Sequence, residues 1–153
     1  MGKIDVASAP VFVGSSYPEP FDEPIRARTN ARLGAAAGLT QFGVNLTRLP
    51  PGAWSSQRHW HTLEDEFVYV LEGEAVLVMD EGEQLMGRGD CAGFKAGVKN
   101  GHHFQNRSTT DVVLLTVGSR LPDDWGEYSD IDMVFRRSGG YEHKDGTPYD
   151  MKR

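Results

Sequence analysis

From residue 38 onward the chain is written almost wholly in short runs of alternating apolar and polar residues, cut apart by turn-forming residues. Candidate strands lie at 41–49, 54–61, 66–72, 74–79, 84–86, 90–95, 102–106 and 112–118. Between them stand Pro50-Pro51-Gly52, Glu72-Gly73, Asp80-Glu81-Gly82 and Gly87-Arg88-Gly89. Alternation over such lengths is the period of a strand with one buried face, and glycine and proline are its natural punctuation. No helical pattern of roughly 10–15 residues separates the runs, so parallel βαβ units are excluded. An all-β antiparallel barrel or sandwich remains. A further strand is predicted at 131–135.

The 153 residues can bury one core, and the chain reads as a single domain over 1–153. The barrel spans about 41–118, with flanking arms at 1–37 and 119–153. The first arm, rich in proline and charge (YPEPFDEPIRARTN), reads as irregular chain over the body, and the last residues (SGGYEHKDGTPYDMKR) as a polar tail ordered by a partner surface. In Phe67-Val68-Tyr69-Val70-Leu71 both strand faces are apolar. Such a strand needs cover on both sides, so a homodimer is expected.

Composition excludes several classes. A formal charge of −6 argues against nucleic acid as partner, since tracking phosphates requires a basic face. No apolar run approaches the ~20 residues that cross a bilayer, and the N-terminal MGKIDVASAPVF lacks the apolar core of a secretory signal. A cytoplasmic protein with no membrane partner is expected. Cys91, the single cysteine, forbids an internal disulfide and is expected to be a buried packing residue rather than a nucleophile. No serine sits in a Gly-x-Ser-x-Gly elbow, and the glycines near residue 87 form no phosphate-binding loop.

Four of the five histidines fall between residues 59 and 103, in two pairs. On a strand, positions i and i+2 share a face, so His59 and His61 point together with Trp60 opposite. Two neutral imidazoles side by side suit a borderline divalent metal. Glu64 or Glu66 could add a carboxylate, and spacing alone leaves both open. His102 and His103 point to opposite faces of a regular strand, and either could complete the set. His143 lies in the polar tail and reads as solvated. Trp54, Trp60 and Trp125 read as packing anchors.

Together these segments resemble the two signature motifs of the cupin superfamily. The first reads Gly52-AWSSQR-His59-Trp60-His61-TLED-Glu66-FVYVLE-Gly73, one residue longer than usual between Gly52 and His59. The second reads Gly89-DCAGF-Lys95-Ala96-Gly97-VKNG-His102-HFQ-Asn106. It carries Lys95 in place of the usual proline and two extra residues before His102. The resemblance implies a double-stranded β-helix (jelly-roll) barrel, often dimeric. It also implies a metal held by His59, His61, Glu66 and His102, selecting Glu66 over Glu64 and His102 over His103.

Three imidazoles and one carboxylate leave a divalent ion with a net charge of about +1 and, in six-coordination, two open positions. One such ion is expected, with Fe, Mn, Ni or Co favoured and Zn or Cu possible. Alternation from the ligands places Gln57, Phe104 and Asn106 as inward neighbours, and Arg58 and Tyr69 facing away. The expected function is a metal-dependent enzyme, of oxygenase, isomerase or lyase type, acting on a small polar molecule. The alternative is a non-catalytic small-molecule or sugar-binding barrel. A sugar-phosphate isomerase requires cations beside the metal, for which Arg48 and Lys95 are the sequence candidates.

Overall fold

A computed structural model describes residues 2–151. Thirteen strands form three antiparallel sheets. Six of them, β1 (Val11–Val13), β2 (Thr29–Arg32), β3 (Phe42–Leu49), β5 (Glu66–Glu72), β8 (Cys91–Phe94) and β10 (Val112–Ser119), make the largest sheet, ordered β1-β2-β3-β10-β5-β8. Facing it are β7 (Gly82–Gly87), β6 (Glu74–Met79) and β9 (His103–Gln105) in that order. The third sheet runs β13 (Gly140–Glu142), β12 (Val134–Arg136), β11 (Trp125–Tyr128), β4 (His59–His61). Isolated bridges, Trp54 to Gln105 and His59 to His102, stitch the second and third sheets together. This is the antiparallel all-β architecture expected from the alternating runs, in the jelly-roll form that the cupin resemblance implies.

The core lies between the sheets and is supplied by one parity of each strand. Val68 and Val70 of β5, Leu49 of β3, Leu114 and Val112 of β10, Leu77 of β6 and Phe104 of β9 form one buried cluster. The opposite parity of β5 points out: Phe67 is 42% and Tyr69 37% exposed. The tight β5–β6 turn needs Gly73, whose φ is +79° and whose added Cβ would lie 2.5 Å from the Asp111 carbonyl.

Several expectations are corrected. The N-terminal arm is not merely irregular: β1 and β2 extend the large sheet, Ala31 pairing with Leu46 and Val11 with Ala31. A four-residue helix, α1 (Leu33–Ala36), follows them. The polar C-terminal tail is likewise structured on its own chain, β13 pairing with β12. These strands are too short and too polar to show an alternating signature. The strand expected at 54–61 shrinks to 59–61, because residues 55–58 bend, and the one expected at 131–135 lies at 134–136. Cys91 is exposed rather than buried, for it sits on the sheet's edge strand opposite Tyr69 and shares that outward face. No helix among the described residues is long and apolar enough to cross a membrane.

Candidate metal centre

Two strands, β4 and β5, and the bridge residue His102 just ahead of β9 deliver the site. β4 presents His59 and His61 on one face and buries Trp60 on the other. Backbone bonds between His59 and His102 run in both directions, at 3.2 and 2.9 Å. Residues paired in this way project to the same side, so His102 is turned toward the two histidines of β4. His103 therefore points away, its Nδ1 2.9 Å from the Ser56 carbonyl, and burial pushes its pKa down to about 4. Glu66 opens β5, between Phe94 of β8 and Gly118 of β10.

The ligand-type atoms of His59, His61 and Glu66 all lie within 4.8 Å of one another. Glu66 Oε2 stands 2.7 Å from His102 Nε2, 3.3 Å from His61 Nε2 and 3.6 Å from His59 Nε2. It is buried, yet none of these approaches has the direction of a hydrogen bond. Ligand atoms at about 2.1 Å from one cation stand roughly 3 Å apart when they subtend a right angle, and this cluster has that spacing. Converging nitrogen and oxygen ligand atoms of this kind fit a borderline divalent ion.

The outer nitrogens of His59 and His61 fix the roles of those two rings. His59 Nδ1 lies 2.8 Å from the Gln57 carbonyl, to which it donates, leaving the Nε2 lone pair facing the cluster. His61 Nδ1 lies 2.7 Å from Asp124 Oδ2, while Asp124 Oδ1 accepts the Leu63 amide at 2.9 Å. His102 stacks flat on Phe94, centroids 3.5 Å apart. Burial raises the Glu66 pKa, but the three imidazoles outweigh it and hold the carboxyl well below its usual range. Burial likewise opposes charge on His61, and Glu66 and Asp124 overcome it, lifting its pKa to about 9. For His102 burial dominates and lowers the pKa.

A cavity of about 340 Å³ opens beside the cluster. Its wall carries hydroxyl and amide side chains (Ser15, Ser16, Asn30, Asn45, Thr47 and Thr116), the phenols of Tyr17 and Tyr141, and the guanidiniums of Arg28, Arg120 and Arg137. Phe104 lines it. Gln57 does not: its amide donates to the Phe21 carbonyl at 2.7 Å, because the bend at 55–58 breaks the alternation. Asn106 is structural, donating to the Leu49 and Thr110 carbonyls. Glu64, the alternative ligand, is buried against Arg137 and accepts the Leu121 amide at 2.8 Å. Arg58 faces away, bound to Asp130 and Asp80. His143 is held by Asp132 at 2.9 Å and stacked on Tyr149.

Of the cations named from sequence, Arg48 pairs with Asp111 on the surface, whereas Lys95 lines a second cavity, of about 210 Å³, that also borders His61, Glu66 and His102. The residues missed were Asp124, Arg28, Arg120, Arg137, Tyr17 and Tyr141. All lie in the flanks, where no local pattern marks them.

Residues 45–118 match the family model described as Cupin domain. Over 97% of both chains the sequence is 48% identical to a sugar phosphate isomerase of the cupin superfamily from Silicibacter pomeroyi, with a TM-score of 0.92. This protein is a cupin. A candidate sugar phosphate isomerase from Acidithiobacillus ferrooxidans is 29% identical over 93% of this cupin and 90% of its own chain, TM-score 0.76. A polyketide cyclase of Streptomyces resistomycificus, 20% identical over 86% of this chain and 87% of its own, shares the fold at a TM-score of 0.66. No protein of curated function matches this cupin.

Proposed function

We propose that this cupin is a divalent-metal-dependent isomerase that interconverts aldose and ketose forms of a small sugar derivative. The observation that carries the reading is the junction of the His59, His61 and Glu66 cluster, with His102 against Glu66, and a cavity walled by hydroxyls and amides. Such a wall matches a polyhydroxylated ligand better than an apolar one, because each substrate hydroxyl removed from water needs a partner. The relative 48% identical over nearly its whole length is itself a sugar phosphate isomerase, which supports the same choice among the chemistries open to cupins.

His59, His61, Glu66 and His102 would hold the ion, which supplies a Lewis acid for the carbonyl and neighbouring hydroxyl oxygens. The remaining work belongs to side chains. Burial raises the pKa values of Tyr17 and Tyr141, so both phenols stay protonated and orient substrate oxygens by hydrogen bonding. Glu64 is the carboxylate on the cavity wall outside the proposed ligand set, and would take a proton from one carbon and return it to the next once substrate draws Arg137 away from it. Glu64→Gln is expected to lower kcat at least a hundredfold with KM little changed.

The test is a panel of aldoses, ketoses and their phosphates offered in D2O to the metal-reconstituted protein, followed by proton NMR. Isomerisation, with loss of turnover in His59→Ala and Glu66→Gln, is expected. Stoichiometric metal with tight sugar binding but no conversion of any member would sink the isomerase and favour the binding barrel.

A further inference from the structure

The described cavity wall carries three guanidiniums against two carboxylates. Both carboxylates are engaged: Glu64 is paired with Arg137, and Glu66 belongs to the histidine cluster. Arg28 and Arg120 have no carboxylate within ion-pair distance among the described residues. Arg120 sits over Gly43, where an added Cβ would lie 3.0 Å from its Nε.

Arg28 is the more telling of the two. It follows the turn that buries Ile25, at the foot of β2, so its side chain enters between the arm and the loop at residue 55. Its terminal nitrogens donate to the Ser55 carbonyl and, at 2.6 Å, to the Gly14 carbonyl. A guanidinium has five N–H groups, so three remain without a protein acceptor, and the one on Nε is sealed from solvent. Burial lowers its pKa, and its neighbours of opposite tendency are the phenols of Tyr17, Tyr141 and Tyr128. A guanidinium serving only as a clamp between two carbonyls would leave its charge desolvated and uncompensated, which is costly. An oxyanion in the cavity supplies the missing charge and acceptors for the remaining terminal N–H groups.

We propose that Arg28, with Arg120 at the rim and the phenols of Tyr17 and Tyr141, forms an anion subsite that binds the phosphoryl group of the substrate, apart from the metal ligands. This rests on the isomerase reading for the rest of the substrate, and it names which end of that substrate is charged and where that end lies. The reacting carbons would then sit at the cluster while the phosphoryl group is held against the N-terminal arm.

The experiment titrates inorganic phosphate, and separately acetate, into the full-length protein by calorimetry. One sample is metal-loaded and the other is stripped with chelator and dialysed. Phosphate is expected to bind both forms with similar affinity, and acetate at least tenfold more weakly. Arg28→Gln should weaken phosphate at least tenfold, and Arg28→Lys, which keeps the charge but loses the fork, several-fold. In the wild-type protein the Arg28 Nε–H resonance should shift saturably with phosphate, a reading that holds even if Arg28→Gln fails to fold. Phosphate binding that disappears with the metal, is unchanged in a folded Arg28 variant, or leaves the Nε–H signal unmoved overturns the subsite, as does acetate binding equal to phosphate. Phosphate held at Arg28 with no sugar phosphate turned over leaves the subsite standing and sinks the isomerase. Turnover with phosphate affinity and KM indifferent to Arg28 does the reverse.

Discussion

Asp124 shows how much a single flanking carboxylate does. One oxygen faces His61 Nδ1 and the other takes the Leu63 amide, so the carboxylate sets both the tautomer and the aim of the ring. Asp124→Asn keeps the size and loses the charge, and is expected to weaken metal binding about 10–100-fold, measured by competition with a chromophoric chelator. His103 makes a different prediction. Its folded pKa of about 4 lies below the ordinary 6.5, so the folded state refuses a proton that the unfolded chain accepts. Its stabilising contribution is complete above pH 6.5 and is lost progressively as pH falls toward 4. The thermal midpoint of the wild type should therefore fall more steeply between pH 7 and 5 than that of His103→Gln.

At the level of elements, the site depends on a three-residue strand. β4 is held along one edge by β11 and on the other by the bridge from His59 to His102 and the Gly97 amide bonded to the His61 carbonyl. Gly126 of β11, opposite His61, leaves no room for a side chain: an added Cβ would lie 2.0 Å from the Trp60 carbonyl and 2.6 Å from the Phe135 ring. Gly126→Ala must push β11 from β4, and is expected to cost about 3 kcal/mol in urea unfolding. Metal affinity should fall with it, since His59 and His61 ride on the displaced strand. The same substitution at Gly87, where an added Cβ meets nothing within 4 Å, should be far milder.

For the whole molecule, the sheet face left bare is the relevant feature. Opposite the core, Val11, Ala31, Leu46, Leu115 and Tyr69 form a cross-strand row, beside a second row of Val44, Val117 and Phe67. A second copy on this face is the arrangement proposed for the homodimer expected from the doubly apolar 67–71 run. Sedimentation should show a dimer that Phe67→Glu and Tyr69→Glu convert to monomer; a monomeric wild type at micromolar concentration would contradict it. Metal binding should also register globally, because an ion that binds only the folded chain stabilises it. Free metal at a hundred times Kd adds about 2.7 kcal/mol, or roughly 5–10 °C in Tm for a chain of this length, and Glu66→Gln should largely abolish the increment.

The period-two alternation of 41–118 determined an antiparallel all-β barrel or sandwich, because a strand with one buried face leaves that imprint wherever it lies, and the motif resemblance chose the jelly-roll barrel. His59 and His61 on one face also followed from that period, and the motif resemblance chose Glu66 and His102. Other features lay beyond local pattern. Gln57 left the cavity wall because the backbone bends at 55–58, where its amide donates to the Phe21 carbonyl. Cys91 faces outward because its strand ended up at a sheet edge. The arms paired into sheets because neighbouring strands supplied hydrogen-bond partners that no run of residues announces. Asp124 and Arg28 stand 63 and 33 positions from His61 in the chain. Only closure of the barrel brings such groups together, since charge complementarity acts through space while sequence pattern records only what neighbouring residues require of one another.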